Sequence, residues 1–278
     1  MVMISVVRYL KKGSKMAFKR YFKINSDYTK VEKKLIEYKY NGGFAVSQKV
    51  KNIHNIHEAI KKREEDAVIL EISSKSEDDL GIKLSAFNLG ITDSNGKTRT
   101  VESIFQGSKV FENGGPFKDL ISKSSLEAKK DPRIRESGKM IGFHYNGEDW
   151  PLDPITFFYD WVYIHVLDEN VMNENISLKE LLKYNTFTDV EFNHKKSLNC
   201  QAGAVALYLV LHKQDLLDKY LHDRDKFREA VDTCYIDVDE PENNTSMKKK
   251  IVESKKDKKS ETEEVEEKKP VVENQKLF

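Results

Sequence analysis

Two apolar stretches constrain this chain more than anything else in it. Residues 155–167 read I-T-F-F-Y-D-W-V-Y-I-H-V-L, and residues 202–212 read A-G-A-V-A-L-Y-L-V-L-H. Neither leaves a polar face at helical spacing, so both predict helices buried nearly all round. Pro154 precedes the first, where a helix start tolerates it. Ala202, Gly203, Ala204 and Ala206 put small residues on the second, which allows close packing. Both stretches fall short of the ~20 residues that cross a bilayer, so they predict the centre of a soluble core.

The remaining elements must wrap around that pair. Residues 16–50 are strand-rich: Phe18, Tyr21 and Phe22 lead to a charged segment and then to I-E-Y-K-Y, which alternates at period two. Asn41-Gly42-Gly43 marks a turn. Ser47 to Arg63 predicts a helix through Ile53, Ile56, Ala59 and Ile60, and V-I-L-E-I, Val68 to Ile72, a buried strand. T-D-S-N-G-K, from Thr92, is the tip of a hairpin leading into a helix at Thr100 that Asn113-Gly114-Gly115-Pro116 ends. Short helical pieces follow, then a strand at Ile141 to Tyr145, a helix at Leu178 to Tyr184, a polar loop from Thr188 to Gln201, and charged helices between Leu216 and Cys234. The organisation is an N-terminal extension at 1–15, a folded domain at 16–237, and a Lys- and Glu-rich tail at 238–278 with little to build a core, hence disorder.

Composition excludes more than it selects. A net charge of +1 gives no global steering toward nucleic acid or membrane. Two cysteines, Cys200 and Cys234, are too few for a disulfide framework, and a reducing cytoplasm is the simplest setting. His54 and His57 share a helical face without a third ligand at a recognised spacing, so no metal is expected. No G-x-G-x-x-G, P-loop or G-x-S-x-G motif is present, and no cofactor is implied.

The segment most suggestive of chemistry is T-V-E-S-I-F-Q-G-S-K, Thr100 to Lys109. On a helix, Glu102, Gln106 and Lys109 line up at i, i+4 and i+7, beside an apolar stripe of Val101, Ile104 and Phe105. An acid, an amide and an amine on one half-buried face can hold and cleave a polar small molecule. The same spacing also fits an ordinary surface helix.

Four segments, in order, resemble the NADAR (YbiA-like) family. These are the Val-Glu, Phe-Gln and Lys of Thr100 to Lys109; L-S-A-F at Leu84 to Phe87; Asp149-Trp150; and F-T-D-V-E-F-N-H-K-K-S-L-N-C-Q-A, Phe187 to Ala202. G-G-F-A-V-S-Q-K, I-S-S-K-S, S-I-F-Q-G-S-K-V-F-E-N-G-G-P, G-E-D-W-P-L-D-P and F-Y-D-W-V-Y are similar to its DarT-associated antitoxin subgroup. Ala86 stands where the wider family has Asn, and Cys200-Gln201-Ala202 where it has Lys-Leu-Gly.

The resemblance implies a compact, mainly helical α+β domain with a small β-sheet. It implies an N-glycosidase that removes ADP-ribose from ADP-ribosylated guanine in DNA, as antitoxin to a DarT-type DNA ADP-ribosyltransferase. Such cleavage builds positive charge on the anomeric carbon and negative charge on the departing base, for which Glu102 and Asp189 are the candidate acids. Lys109 is the candidate nucleophile, acting through an imine; in the rival route water attacks directly and Lys109 only holds substrate. Phe105, Trp150 and Trp161 offer faces for a purine, or simply pack the core. Asn88, Gln106 and Asn199 suit hydroxyls or phosphate. The basic stretch Lys123 to Arg135 suits a DNA backbone or a solvated loop. The final E-N-Q-K-L-F loosely resembles a sliding-clamp-binding tail. A non-catalytic module binding ADP-ribose or modified DNA, and a glycosidase acting on a riboflavin-pathway intermediate, are the competing functions.

Overall fold

The computed structural model describes residues 15–154, 156–193 and 199–239. The chain divides into a unit of residues 1–238 and one of residues 239–278, and the elements below belong to the first. The expected clamp-binding terminus lies outside the described residues, as do the expected N-terminal extension and disordered tail apart from residues 15, 238 and 239.

Strands β1 (Met16–Ile24) and β2 (Val31–Lys39) form a long antiparallel pair, Met16 facing Lys39 and Ile24 facing Val31. Helix α1 (Val46–Arg63) and strand β3 (Ile69–Glu71) follow, then α2 (Asp79–Lys83) and the hairpin β4 (Gly90–Thr92) and β5 (Thr98–Thr100). Next come α3 (Val101–Gly107), β6 (Lys109–Phe111), a 3-10 turn at Lys118–Ser122, α4 (Ser125–Lys130), α5 (Arg133–Glu136), β7 (Met140–Tyr145) and β8 (Glu148–Trp150). The chain continues through α6 (Phe157–Met172), α7 (Leu178–Leu181), β9 (Thr186–Thr188), α8 (Gln201–Lys213), α9 (Leu217–Leu221), α10 (Arg224–Cys234) and β10 (Tyr235–Asp237).

The fold is α+β. Where the sequence suggested a mainly helical body with one small sheet, the described residues hold three: a five-stranded sheet ordered β10-β2-β1-β9-β3, the β4-β5 hairpin, and β6-β7-β8. Alternation along β1 explains the packing of the first. Phe22 and Ile24 face the main core with α6 and α8. Tyr21 points the other way, joining Tyr38 and the Ile53, Ile56 and Ile60 stripe of α1 in a second core. The all-round apolarity of α8 is matched by burial of every residue from Gln201 to Leu211. At Gly203 an added Cβ would lie 2.9 Å from the Phe22 ring, so glycine there lets α8 sit on β1.

Two strands of the five-stranded sheet escape the sequence reading. β9 is three residues long, too short for a period to register, yet it lies between β1 and β3, pairing antiparallel with one and parallel with the other. β10 extends the far edge by pairing parallel to β2. The helix at Thr100 is also shorter than its pattern: it stops at Gly107, and Lys109 begins β6, paired with Phe143 of β7. At Gly107 a Cβ would come within 2.6 Å of Ile121 Cγ1, and the Ser108 hydroxyl donates back to the Ile104 carbonyl at 2.7 Å.

Candidate functional site

A cleft of about 700 Å³ opens where six parts of the chain converge. Its lining includes Glu102, Phe105 and Gln106 of α3, Lys109 of β6, Lys129 of α4 and Tyr159 of α6; Ser73 to Lys75 and Ser85 to Phe87 form one rim, and Asp189, Asn193 and Asn199 another. A second cavity of about 290 Å³ shares Phe192 as a wall. Its Lys33 is held by Asp237 at 2.9 Å, and the acid, amide and amine of the Thr100 to Lys109 segment all line the larger cleft instead.

α3 is fastened so that its first turn presents Glu102. The Thr100 hydroxyl caps it by accepting from Ser103 N, which satisfies one of the N–H groups a helix start leaves open. Val101 N donates to the Leu89 carbonyl and Glu102 N to the Ala86 carbonyl at 3.0 Å. These bonds lock the Leu84–Phe87 segment against α3. Gln201 locks it from the other side, accepting from Ala86 N at 2.7 Å and donating to the Ile72 carbonyl at 2.6 Å. Sequence reading noted Gln201 only as a departure from the family pattern; its place is that of a bracket between the two segments of one cleft rim.

Along the floor runs a polar chain. Gln106 Nε2 donates to Glu102 Oε1 at 2.8 Å, and Lys109 Nζ donates to Gln106 Oε1 at 2.8 Å. A carboxylate only accepts, so Glu102 fixes which end of the amide faces Lys109. Phe105 lies beneath, its ring centre 4.6 Å from Lys109 Nζ, and is itself wedged against Phe143 and, edge-on, Tyr159. This half-enclosed position lowers the Lys109 pKa to about 8: burial acts first, Glu102 opposes it, and Lys129 adds to it.

Asp189 enters from the loop after β9. It is buried, and its Oδ1 accepts from Glu191 N and Phe192 N at 2.9 and 3.1 Å. Burial and the neighbouring Glu71 carboxylate nonetheless push it up to about 7, with Lys19 pulling the other way. Beneath this loop lies a pair of buried charges that the sequence reading missed. The Lys19 ammonium donates to the carbonyls of Asp189, Val190 and Phe192. Glu71 accepts from the Thr188 hydroxyl at 2.6 Å and from Val190 N at 2.7 Å. The available signal was a lone acid inside V-I-L-E-I and a lysine inside the β1 alternation, since a charge in a buried strand demands partners.

Of the residues singled out by sequence, Glu102, Phe105, Gln106, Lys109, Asp189 and Asn199 line this one cleft. Asn88, Trp150 and Trp161 do not. Asn88 is exposed and donates to the Ile82 carbonyl at 2.8 Å. Trp150 is buried in the core against Phe157 and Trp161, with the Arg224 guanidinium 4.2 Å above its ring. Trp161 packs between Trp150 and His165. The basic stretch is largely spent within the protein: Arg133 is bidentate to Asp119 and also reaches Asp131, and Lys123 lies near both acids. His57 meets the Thr188 hydroxyl at 2.9 Å, and burial lowers it to about 4. Among the described residues no group of three His, Cys, Asp or Glu is placed to hold a metal ion, and no helix is long and apolar enough to cross a membrane.

Comparison with curated proteins gives no match. Comparison with known protein families matches residues 17–241 to the family described as the DarT1-associated NADAR antitoxin. That span contains every residue of the cleft and all of the five-stranded sheet except the first residue of β1. The chain belongs to the DarT1-associated NADAR antitoxin family.

Proposed function

We propose that this antitoxin is an N-glycosidase that removes ADP-ribose from ADP-ribosylated guanine in DNA and so reverses the damage done by a DarT-type toxin. One observation carries the reading: an amine with a lowered pKa shares a cleft with two carboxyl groups, one of them raised toward neutrality. A binding module needs neither perturbation, whereas displacement at an anomeric carbon uses both.

In the mechanism we favour, the neutral Lys109 amine attacks the anomeric carbon of the ADP-ribose. Its hydrogen bond to Gln106 occupies an N–H and leaves the lone pair for the cleft. The bond from that carbon to guanine breaks, and its electron pair leaves with the base. Protonated Asp189 supplies the proton that the departing guanine takes up. The Glu102 carboxylate stabilises the positive charge that builds on the ribose. The Lys109 adduct then loses its proton, the ribose ring opens to an imine, and water hydrolyses the imine to ADP-ribose and free Lys109. Water enters once overall, and guanine is restored in the DNA.

The direct-water route differs at Lys109 alone. Borohydride added during turnover reduces an imine to a stable amine, so the covalent route predicts an ADP-ribose-derived mass fixed on the peptide bearing Lys109. Absence of that adduct, together with a largely active Lys109→Arg protein, assigns the attack to water.

A further inference from the structure

Lys129 belongs to the basic stretch that sequence alone assigns to DNA or solvent, yet it turns into the cleft. Its helix, α4, is pinned beside the site. Ser124 and Glu127 close a capping box at its start. The Ser125 hydroxyl meets that of Thr100 at 2.7 Å and donates to the Phe87 carbonyl at 2.8 Å. From there the Lys129 ammonium reaches to 3.5 Å from Glu102 Oε1 and 4.7 Å from the centre of the Phe87 ring. Glu102 Oε1 therefore faces Lys129 on one side and Gln106 on the other, and Gln106 leads to Lys109.

Two amines thus compete for one carboxylate. Glu102 favours the ammonium form of Lys109, which cannot attack carbon, and so works against burial. The Lys129 cation at Glu102 Oε1 draws on that negative charge and also repels a proton on Lys109; both effects favour the free amine. Other charged groups around the cleft are placed differently. Lys75 and Glu191 belong to the opposite rims, Asp189 is raised toward neutrality, and burial keeps Tyr159 un-ionised.

We propose that Lys129 is a positioning residue for the reaction: by engaging Glu102, it weakens that carboxylate's hold on the ammonium form of Lys109. The inference rests on the reading of Lys109 as the reactive amine. Its test can nevertheless be run without turnover. The reaction rate of Lys109 with an amine-directed acylating reagent, measured across pH by mass spectrometry of the full-length folded chain, reports the titration of that one amine.

The wild-type midpoint is expected at about 8. Lys129→Gln should raise it measurably and lower the fraction of free amine at neutral pH. Lys129→Arg keeps the charge and should bring the midpoint back. Half of the Lys129 side chain is exposed, 53 %, so neither change should disturb folding. A Lys129→Gln midpoint equal to the wild type, or an Arg variant that behaves like Gln, overturns the proposal. ADP-ribose release from modified DNA in the same samples separates the two claims. A shifted midpoint without wild-type release leaves the tuning in place and removes the glycosidase. Release with an unshifted midpoint removes the tuning and leaves the glycosidase.

Discussion

A lysine attacks carbon only as a free amine, and a carboxyl group donates a proton only while it still has one. Lys109 and Asp189 sit close to both requirements near neutrality, at about 8 and about 7. The signs define a pH window. Below it Lys109 is protonated and cannot attack; above it Asp189 is ionised and cannot donate. Release of ADP-ribose should therefore follow a bell whose maximum falls between those two values, with limbs that belong to the pair of groups jointly. A rate that keeps climbing on the alkaline side would mean the Asp189 proton is not used. At this scale the Glu, Gln and Lys spacing read from sequence brings all three side chains to one cleft, even though Lys109 lies on a strand. Sequence served poorly for aromatic residues. A tryptophan that stacks on a ligand and one that fills a core read identically, and Trp150 and Trp161 are of the second kind. Lys129 was read with its basic stretch as facing DNA or solvent, because among neighbouring basic residues only the docking of α4 decides which one turns inward.

The cleft depends on where elements stop. α3 ends at Gly107 because its flank meets the 3-10 turn, and Lys109 inherits its position from that ending. At Gly115, with φ at 83°, a Cβ would come within 2.3 Å of the Lys109 carbonyl oxygen, so glycine lets this turn close against the same strand. Gly107→Ala should push α3 off Ile121, lower stability by about 1–3 kcal/mol as overpacking does, and reduce ADP-ribose release by more than the loss of folded protein explains. A urea titration read beside the assay separates the two effects. Far from the cleft, Glu64 at the end of α1 ties that helix to the sheet through Tyr21, Lys23 and Lys34. Burial opposes its ionisation, but Lys34, Lys23 and Tyr21 prevail and hold it at about 2. A depressed carboxyl stabilises the fold above its ordinary pKa of ~4.3 and loses that contribution as acid brings the pH down through the folded value. Glu64→Gln should cost about 1 kcal/mol near neutrality, after allowance for solvent screening, and the difference from wild type should vanish in strong acid. A constant difference at all pH would assign the effect to packing. Long elements such as α1, α6 and α8 were legible because their periods run for several turns. β9 and β10 were not, since three residues carry no period and their pairing is set by strands far away in sequence.

At the scale of the molecule, two buried helices and a sheet covered on both faces make a frame, and the cleft is assembled at its margin, largely from loops and short elements. That division explains why the core could be read from hydrophobicity alone while the cleft needed the three-dimensional arrangement. Its rims come from positions as distant as Ser73 and Gln201, and nothing local in the sequence records their meeting. The most direct test of the account is to incubate the protein with DNA carrying ADP-ribosyl guanine and quantify free ADP-ribose and repaired DNA, for the wild type and for Lys109→Met. The wild type should release both products stoichiometrically, and a folded Lys109→Met should lose roughly a hundredfold or more of that rate, in line with removing an essential reacting group. DNA that stays modified in the presence of folded wild-type protein, or equal rates for the two proteins, would contradict it.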